Sequence, residues 1–182
     1  MLQIGSGFQL PPSIDLRVLD RLPVIDHKYG DPQPDSMTFK WMRYVQPEGY
    51  ISFARNLGAY MPLVAYHVTE YLKTVIDVPI PFARVNFMKT AGCVGPHRDE
   101  GGRKSVINIG IRNASAAITR VSLDNDFDTF ETEYEDYTVE DGCAYVLDVD
   151  NVHAVLDQKG GERLLITCGF GVPARELLKR VK

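Results

Sequence analysis

The sequence predicts a mainly β fold with flanking helices: an antiparallel double sheet of the jelly-roll type, with one long helix packed on an outer face. Three observations predict it. Apolar residues recur with period 2 in seven short runs between residues 82 and 170. Gly, Asn and Asp punctuate those runs, as in Asp141-Gly142 and Gly160-Gly161. No helical pattern is interleaved among them, which excludes a doubly wound α/β fold.

The elements follow in order. Residues 1–50 are mixed; 15–24 and 38–45 read as strands, separated by the turn-rich Gly30-Asp31-Pro32-Gln33-Pro34. A helix comes next. Pro62 suits its first turn, and Val64, Val68, Tyr71, Leu72 and Val75 recur at helical spacing. Asp77, Pro79 and Pro81 end it. Strands are then expected over 82–88, 104–111, 116–123, 130–139, 143–149, 152–156 and 163–170, and a short helix over 174–181.

Composition sets the class. The 182 residues fit a single domain, 1–182, and a hydrophobic share of 45% offsets the ordering entropy that keeps polar chains disordered. The longest apolar runs, such as Ala144 to Leu147, are far short of the roughly 20 residues of a membrane span. The N-terminal residues lack a basic start and an apolar h-region, so no secretory signal is expected. Cys93, Cys143 and Cys168 lie far apart without a CxxC, which suggests free thiols in a reducing compartment and a cytoplasmic location.

A net charge of −4 disfavours nucleic acid as a partner. Nine carboxylates fall between Asp124 and Asp141, and no Lys or Arg lies between Arg120 and Lys159. That segment reads as a solvated hairpin or as an acidic rim that attracts a cationic substrate.

Chemistry concentrates at few positions. Of the four histidines, His27 and His67 have no obvious partner. His97 stands two residues before Asp99, and on an extended backbone positions i and i+2 share a face. One imidazole and one carboxylate can then reach a single ion. His153 follows 54 residues after Asp99, enough chain for strands to run out and return across a barrel mouth. Two His and one carboxylate compose the facial triad that suits Fe(II) and leaves three positions open. Arg163 comes ten residues after His153, at the start of the next expected strand. Its planar fork suits a bidentate grip on a carboxylate.

Together, His97-Arg98-Asp99, His153 and Arg163 resemble the signature of the Fe(II)/2-oxoglutarate-dependent oxygenases. The stretch from Asp141 to Asp148 leading into His153-Ala154-Val155 is similar to the strand before the distal His of that superfamily. The ten-residue step to Arg resembles the aspartyl/asparaginyl β-hydroxylase branch, which includes free-proline hydroxylases. The resemblance covers about residues 82–171, the expected metal-binding core.

The resemblance implies a double-stranded β-helix in which His97, Asp99 and His153 hold Fe(II) and Arg163 pairs with the distal carboxylate of 2-oxoglutarate. Molecular oxygen would be the second co-substrate, and a C–H bond would be hydroxylated with release of succinate and carbon dioxide. Asn86, Ser105, Asn108 and Thr167 are further candidates for the co-substrate pocket. Glu100-Gly101-Gly102-Arg103 reads as a plain turn or a lid. The expected substrate is an amino acid, free or in a peptide, with Arg84, Arg98, Arg103, Arg112 and Arg120 as candidates for a carboxylate clamp.

Two alternatives stand beside this reading. A nucleic-acid demethylating oxygenase usually shows a second Arg soon after the first, whereas the next one here is Arg175. A cupin-like metal-binding isomerase or sugar-binding module commonly gathers more histidines than this chain holds.

Overall fold

The computed structural model describes residues 1–26, 28, 41–46, 48–54, 60–77, 84–99, 102–157 and 159–182. His27, the Gly30 to Pro34 turn, Pro79, Pro81 and the pair Glu100-Gly101 lie outside the described residues.

In chain order the elements are β1 (Leu2–Gly5), α1 (Arg17–Asp20), β2 (Val24–Asp26), β3 (Trp41–Gln46), β4 (Gly49–Ala54), α2 (Tyr60–Val75), β5 (Arg84–Gly92) and β6 (Val94–His97). Then come β7 (Ser105–Arg112), β8 (Ala117–Ser122), β9 (Tyr134–Thr138), β10 (Ala144–Asp148), β11 (His153–Asp157), β12 (Arg163–Phe170) and α3 (Ala174–Leu178). An 8-stranded sheet runs β1-β10-β7-β12-β5-β4-β3-β2, and a 4-stranded sheet runs β6-β11-β8-β9. Among the described residues every strand pair is antiparallel except β2 with β3. The fold is a double-stranded β-helix of two open sheets that do not close into a barrel.

Strand β12 shows how sequence divides the two faces. It lies between β5 and β7, and all of its residues are buried. Leu164, Ile166, Cys168 and Phe170 alternate outward into the main core, with Phe87, Ile107, Ile109 and Val146. Helix α2 covers that face through Val64, Val68 and Leu72. Burying each of these side chains contributes roughly 1.5–3 kcal/mol before entropy is counted. The other parity of β12 begins with Arg163 and continues through Leu165 and Thr167, facing the small sheet. Polar residues recur there because this inner face carries a cavity instead of a closed core.

Some expectations need correction. Residues 15–24 are not a strand. The Asp15 carboxylate accepts from the Arg17 N–H at 3.0 Å, an Asx turn that leads into α1, and Leu19 is buried beneath it. The alternation of Ile14, Leu16 and Val18 mimicked period 2. The strand expected over 130–139 is confined to β9, because Phe130 is buried as an anchor and the Glu133 N–H turns back to the Thr129 carbonyl.

Candidate metal centre

His97 ends β6 and His153 begins β11, and the two are direct partners in antiparallel register. Their ring centroids are 4.3 Å apart. Asp99 follows β6, and its N–H donates to the Val149 carbonyl just ahead of β11 at 2.9 Å. Ligand atoms of His97, Asp99 and His153 all lie within 4.8 Å of one another. Arg98, between His97 and Asp99, points elsewhere: its guanidinium binds the side chain and carbonyl of Asn125 and lies over Phe127. The i, i+2 expectation therefore describes the local geometry.

Both imidazoles are oriented by the backbone. His97 Nδ1 is 2.8 Å from the Gly95 carbonyl and His153 Nδ1 is 2.9 Å from the Asn151 carbonyl. A carbonyl only accepts, so each Nδ1 carries a proton and Nε2 is the nitrogen left to meet a cation. This is the second contact that metal-binding histidines commonly make. Burial, and then the neighbouring His97, lower the His153 pKa to about 4, against the opposing pull of Asp99. His153 is therefore a neutral donor at physiological pH. Two nitrogens and one carboxylate oxygen without thiolate fit a divalent first-row cation.

The same cavity reaches Arg163, which is 2% exposed. Its Nε donates to Thr90 Oγ1 at 2.6 Å, and Nη1 faces Thr119 Oγ1 at 3.4 Å. Among the described residues no carboxylate pairs with it. Burial lowers its pKa to about 10, which still leaves the guanidinium charged at neutral pH. An unpaired buried charge is costly. A carboxylate ligand would offset that cost through charge-assisted hydrogen bonds worth about 1.5–3 kcal/mol each.

The remaining candidates divide. Asn108 and Thr167 are cross-strand partners and line the cavity. Asn108 Oδ1 is buried without a donor, an arrangement that a polar ligand would relieve. Asn86 faces Thr167 from β5 on the same side of the sheet but does not reach the cavity wall. Ser105 is on the opposite face of β7 from Asn108 and donates to the Val172 carbonyl at 2.6 Å. It ties the β12–α3 connection and lies outside the cavity.

The clamp candidates divide likewise. Arg112 pairs with Asp20, and Arg120 with Asp136 and Glu131. Arg98 and Arg103 border the outer cleft, Arg98 bound to Asn125 and Arg103 to Asp99. Thr90 and Thr119 were not singled out from the sequence. They matter through their contact with Arg163, and no periodicity says which strands face each other.

Ile51, Phe53, Met88, Val106, Leu147 and Val149 form apolar walls around the cavity. A wider cleft continues outward from His97, Asp99 and Arg103 past Tyr44, Gln46 and Val94. A separate apolar cavity beside Ile14, Leu19, Tyr60 and Phe87 lies on the other side of the large sheet, away from these groups. No described helix is long and apolar enough to cross a membrane.

No protein-family model matches the chain, and no curated protein matches it in sequence. Solved structures do match. An oxidoreductase of the 2OG-Fe(II) oxygenase family from Burkholderia pseudomallei aligns with a TM-score of 0.52 at 11% identity, over 84% of this chain and 73% of that one. SnoN, a non-heme alpha-ketoglutarate-dependent epimerase from nogalamycin biosynthesis, aligns at 0.48 with 12% identity. The match covers 71% of this chain and 65% of SnoN, so the chain spans just under two thirds of that protein. HygX from Streptomyces hygroscopicus, with nickel and 2-oxoglutarate bound, aligns at 0.45 with 14% identity, over 69% of this chain and 71% of that one. At such identities the likeness is one of fold, and the Burkholderia oxidoreductase shares the double-stranded β-helix described above.

Proposed function

We propose that this chain is an Fe(II)- and 2-oxoglutarate-dependent dioxygenase that hydroxylates an amino acid, free or in a peptide. One observation carries the reading: a buried guanidinium without an acidic partner among the described residues shares a cavity with a two-histidine, one-carboxylate donor set. A cupin-like isomerase or sugar-binding module leaves the charge of Arg163 without a purpose.

In this reading His97, Asp99 and His153 would hold the iron, which would supply oxygen activation coupled to decarboxylation of 2-oxoglutarate to succinate and carbon dioxide. Arg163 receives the distal carboxylate, and Thr90 and Thr119 fix the plane of its fork. Asn108 and Thr167 offer polar contacts along the cavity floor, and Asn86 supports Thr167 from the next strand. The aliphatic walls exclude water, which strengthens each charged contact inside. The substrate enters by the outer cleft, where Ile51, Phe53 and Val94 suit a hydrocarbon side chain.

The test is succinate formation by the iron-loaded protein with 2-oxoglutarate and oxygen, against a panel of amino acids, peptides and methylated oligonucleotides. Stimulation above the uncoupled background by an amino acid or peptide is expected. Turnover stimulated by oligonucleotides alone would replace the substrate assignment. A chain that neither binds 2-oxoglutarate nor forms succinate would end the reading.

A further inference from the structure

Arg103 holds one oxygen of a proposed metal ligand. Its Nη2 is 2.6 Å from Asp99 Oδ2, while Asp99 Oδ1 lies 3.8 Å from His97 Nε2. The two carboxylate oxygens thus have different surroundings, one against a guanidinium and one toward the imidazoles. The Asp99 main chain is also fixed, through its N–H bond to Val149. The stem of Arg103 rests on β12, where Gly169 makes the room: a Cβ there would meet Arg103 Cδ at 2.8 Å. Arg103 borders both the inner cavity and the outer cleft, so its head stands at their junction.

We infer that Arg103 is a positioning residue that commits Asp99 to binding metal through Oδ1 alone. A carboxylate can present one oxygen or two to a cation. A short charge-assisted bond on Oδ2 withholds that oxygen. The coordination position it would have taken stays open for a co-substrate. Neighbours of this kind, which orient a ligand without touching the metal, commonly change metal affinity by about 10–100-fold when removed. The inference rests on the metal-centre reading above and assigns a role to a side chain that reading does not use.

Cobalt(II) titration of the metal-stripped full chain, followed by visible absorption, tests it. Arg103→Gln keeps much of the stem and loses the charge and fork. It should bind cobalt at least about tenfold more weakly, with weaker absorption bands as Asp99 closes on the metal through both oxygens. Arg103→Lys should restore part of the affinity. Gly169→Ala leaves every polar group in place and displaces the Arg103 stem, so it should move affinity and spectrum in the same direction. Circular dichroism should be unchanged in all three.

Wild-type affinity and spectrum in Arg103→Gln would overturn the inference while leaving the metal centre standing. So would tighter cobalt binding in that variant, which would mean that Arg103 acts only as a repelling charge. Failure of the unaltered chain to bind cobalt would overturn the metal-centre reading and the inference together.

Discussion

Arg163 and His153 are both polar groups buried where water could not solvate a second charge. Arg163→Ala should weaken 2-oxoglutarate binding by tenfold or more, since about 1.4 kcal/mol is one decade, and should leave metal affinity little changed. Calorimetric titration under anaerobic conditions measures both. Arg163→Lys should recover only part of the loss, because an ammonium cannot reproduce the fork. His153 gives a pH prediction for the metal-free protein. Its folded pKa is depressed from 6.5 to about 4, so the unfolded chain takes up a proton first. The contribution to stability is complete above pH 6.5 and declines as pH falls toward 4, by up to roughly 3 kcal/mol. Denaturant unfolding from pH 7.5 down to 5 should show a decline that His153→Asn flattens. Equal slopes for the two proteins would refute the assignment.

Between residue and fold stands the turn that aims the first histidine. Gly92 ends β5 at φ 66, and a Cβ there would collide with the Glu48 carbonyl. Gly92→Ala should cost roughly 1–3 kcal/mol from its backbone conformation alone. It should also weaken metal binding, because β6 and His97 start from that turn. Thermal unfolding and cobalt titration check the two effects separately. Strand β6 was not legible in the sequence: Val94-Gly95-Pro96-His97 has no alternation, and a Pro and a Gly argue against a strand. It exists because the Gly95 N–H is taken by the Gln46 side chain and β11 supplies a partner. Strand β4 was missed because polarity does not follow burial along it: Ser52 and Ala54 are buried, while the larger Tyr50, Ile51 and Phe53 are half-buried. By contrast β7, β10, β11 and β12 were readable, being apolar runs closed by turn residues. That His97, Asp99 and His153 gather in one cavity with Arg163 was readable through spacing. The contacts of Thr90 and Thr119 with Arg163 and of Arg103 with Asp99 were not, because each depends on how the chain brings distant segments together.

At the scale of the whole molecule, charge and its placement bear on the proposed choice of an amino-acid substrate over nucleic acid. The net charge is −4, and the acidic segment is tied to the candidate centre rather than remote from it. Asn125 sits at φ 62 between Asp124 and Asp126, accepts from Arg98, and accepts from the Val152 N–H next to His153. The exposed carboxylates of this loop therefore stand beside the cleft, and the nearest arginines are occupied: Arg98 by Asn125, Arg103 by Asp99 and Arg120 by Asp136. A phosphate backbone approaching that side would meet carboxylates before free guanidinium groups. Fluorescence anisotropy with labelled single- and double-stranded oligonucleotides should therefore show no binding at low salt, where electrostatic attraction is strongest. Binding that weakens steeply as salt rises would identify a basic surface apart from these arginines, and would transfer the proposed activity to the demethylating branch.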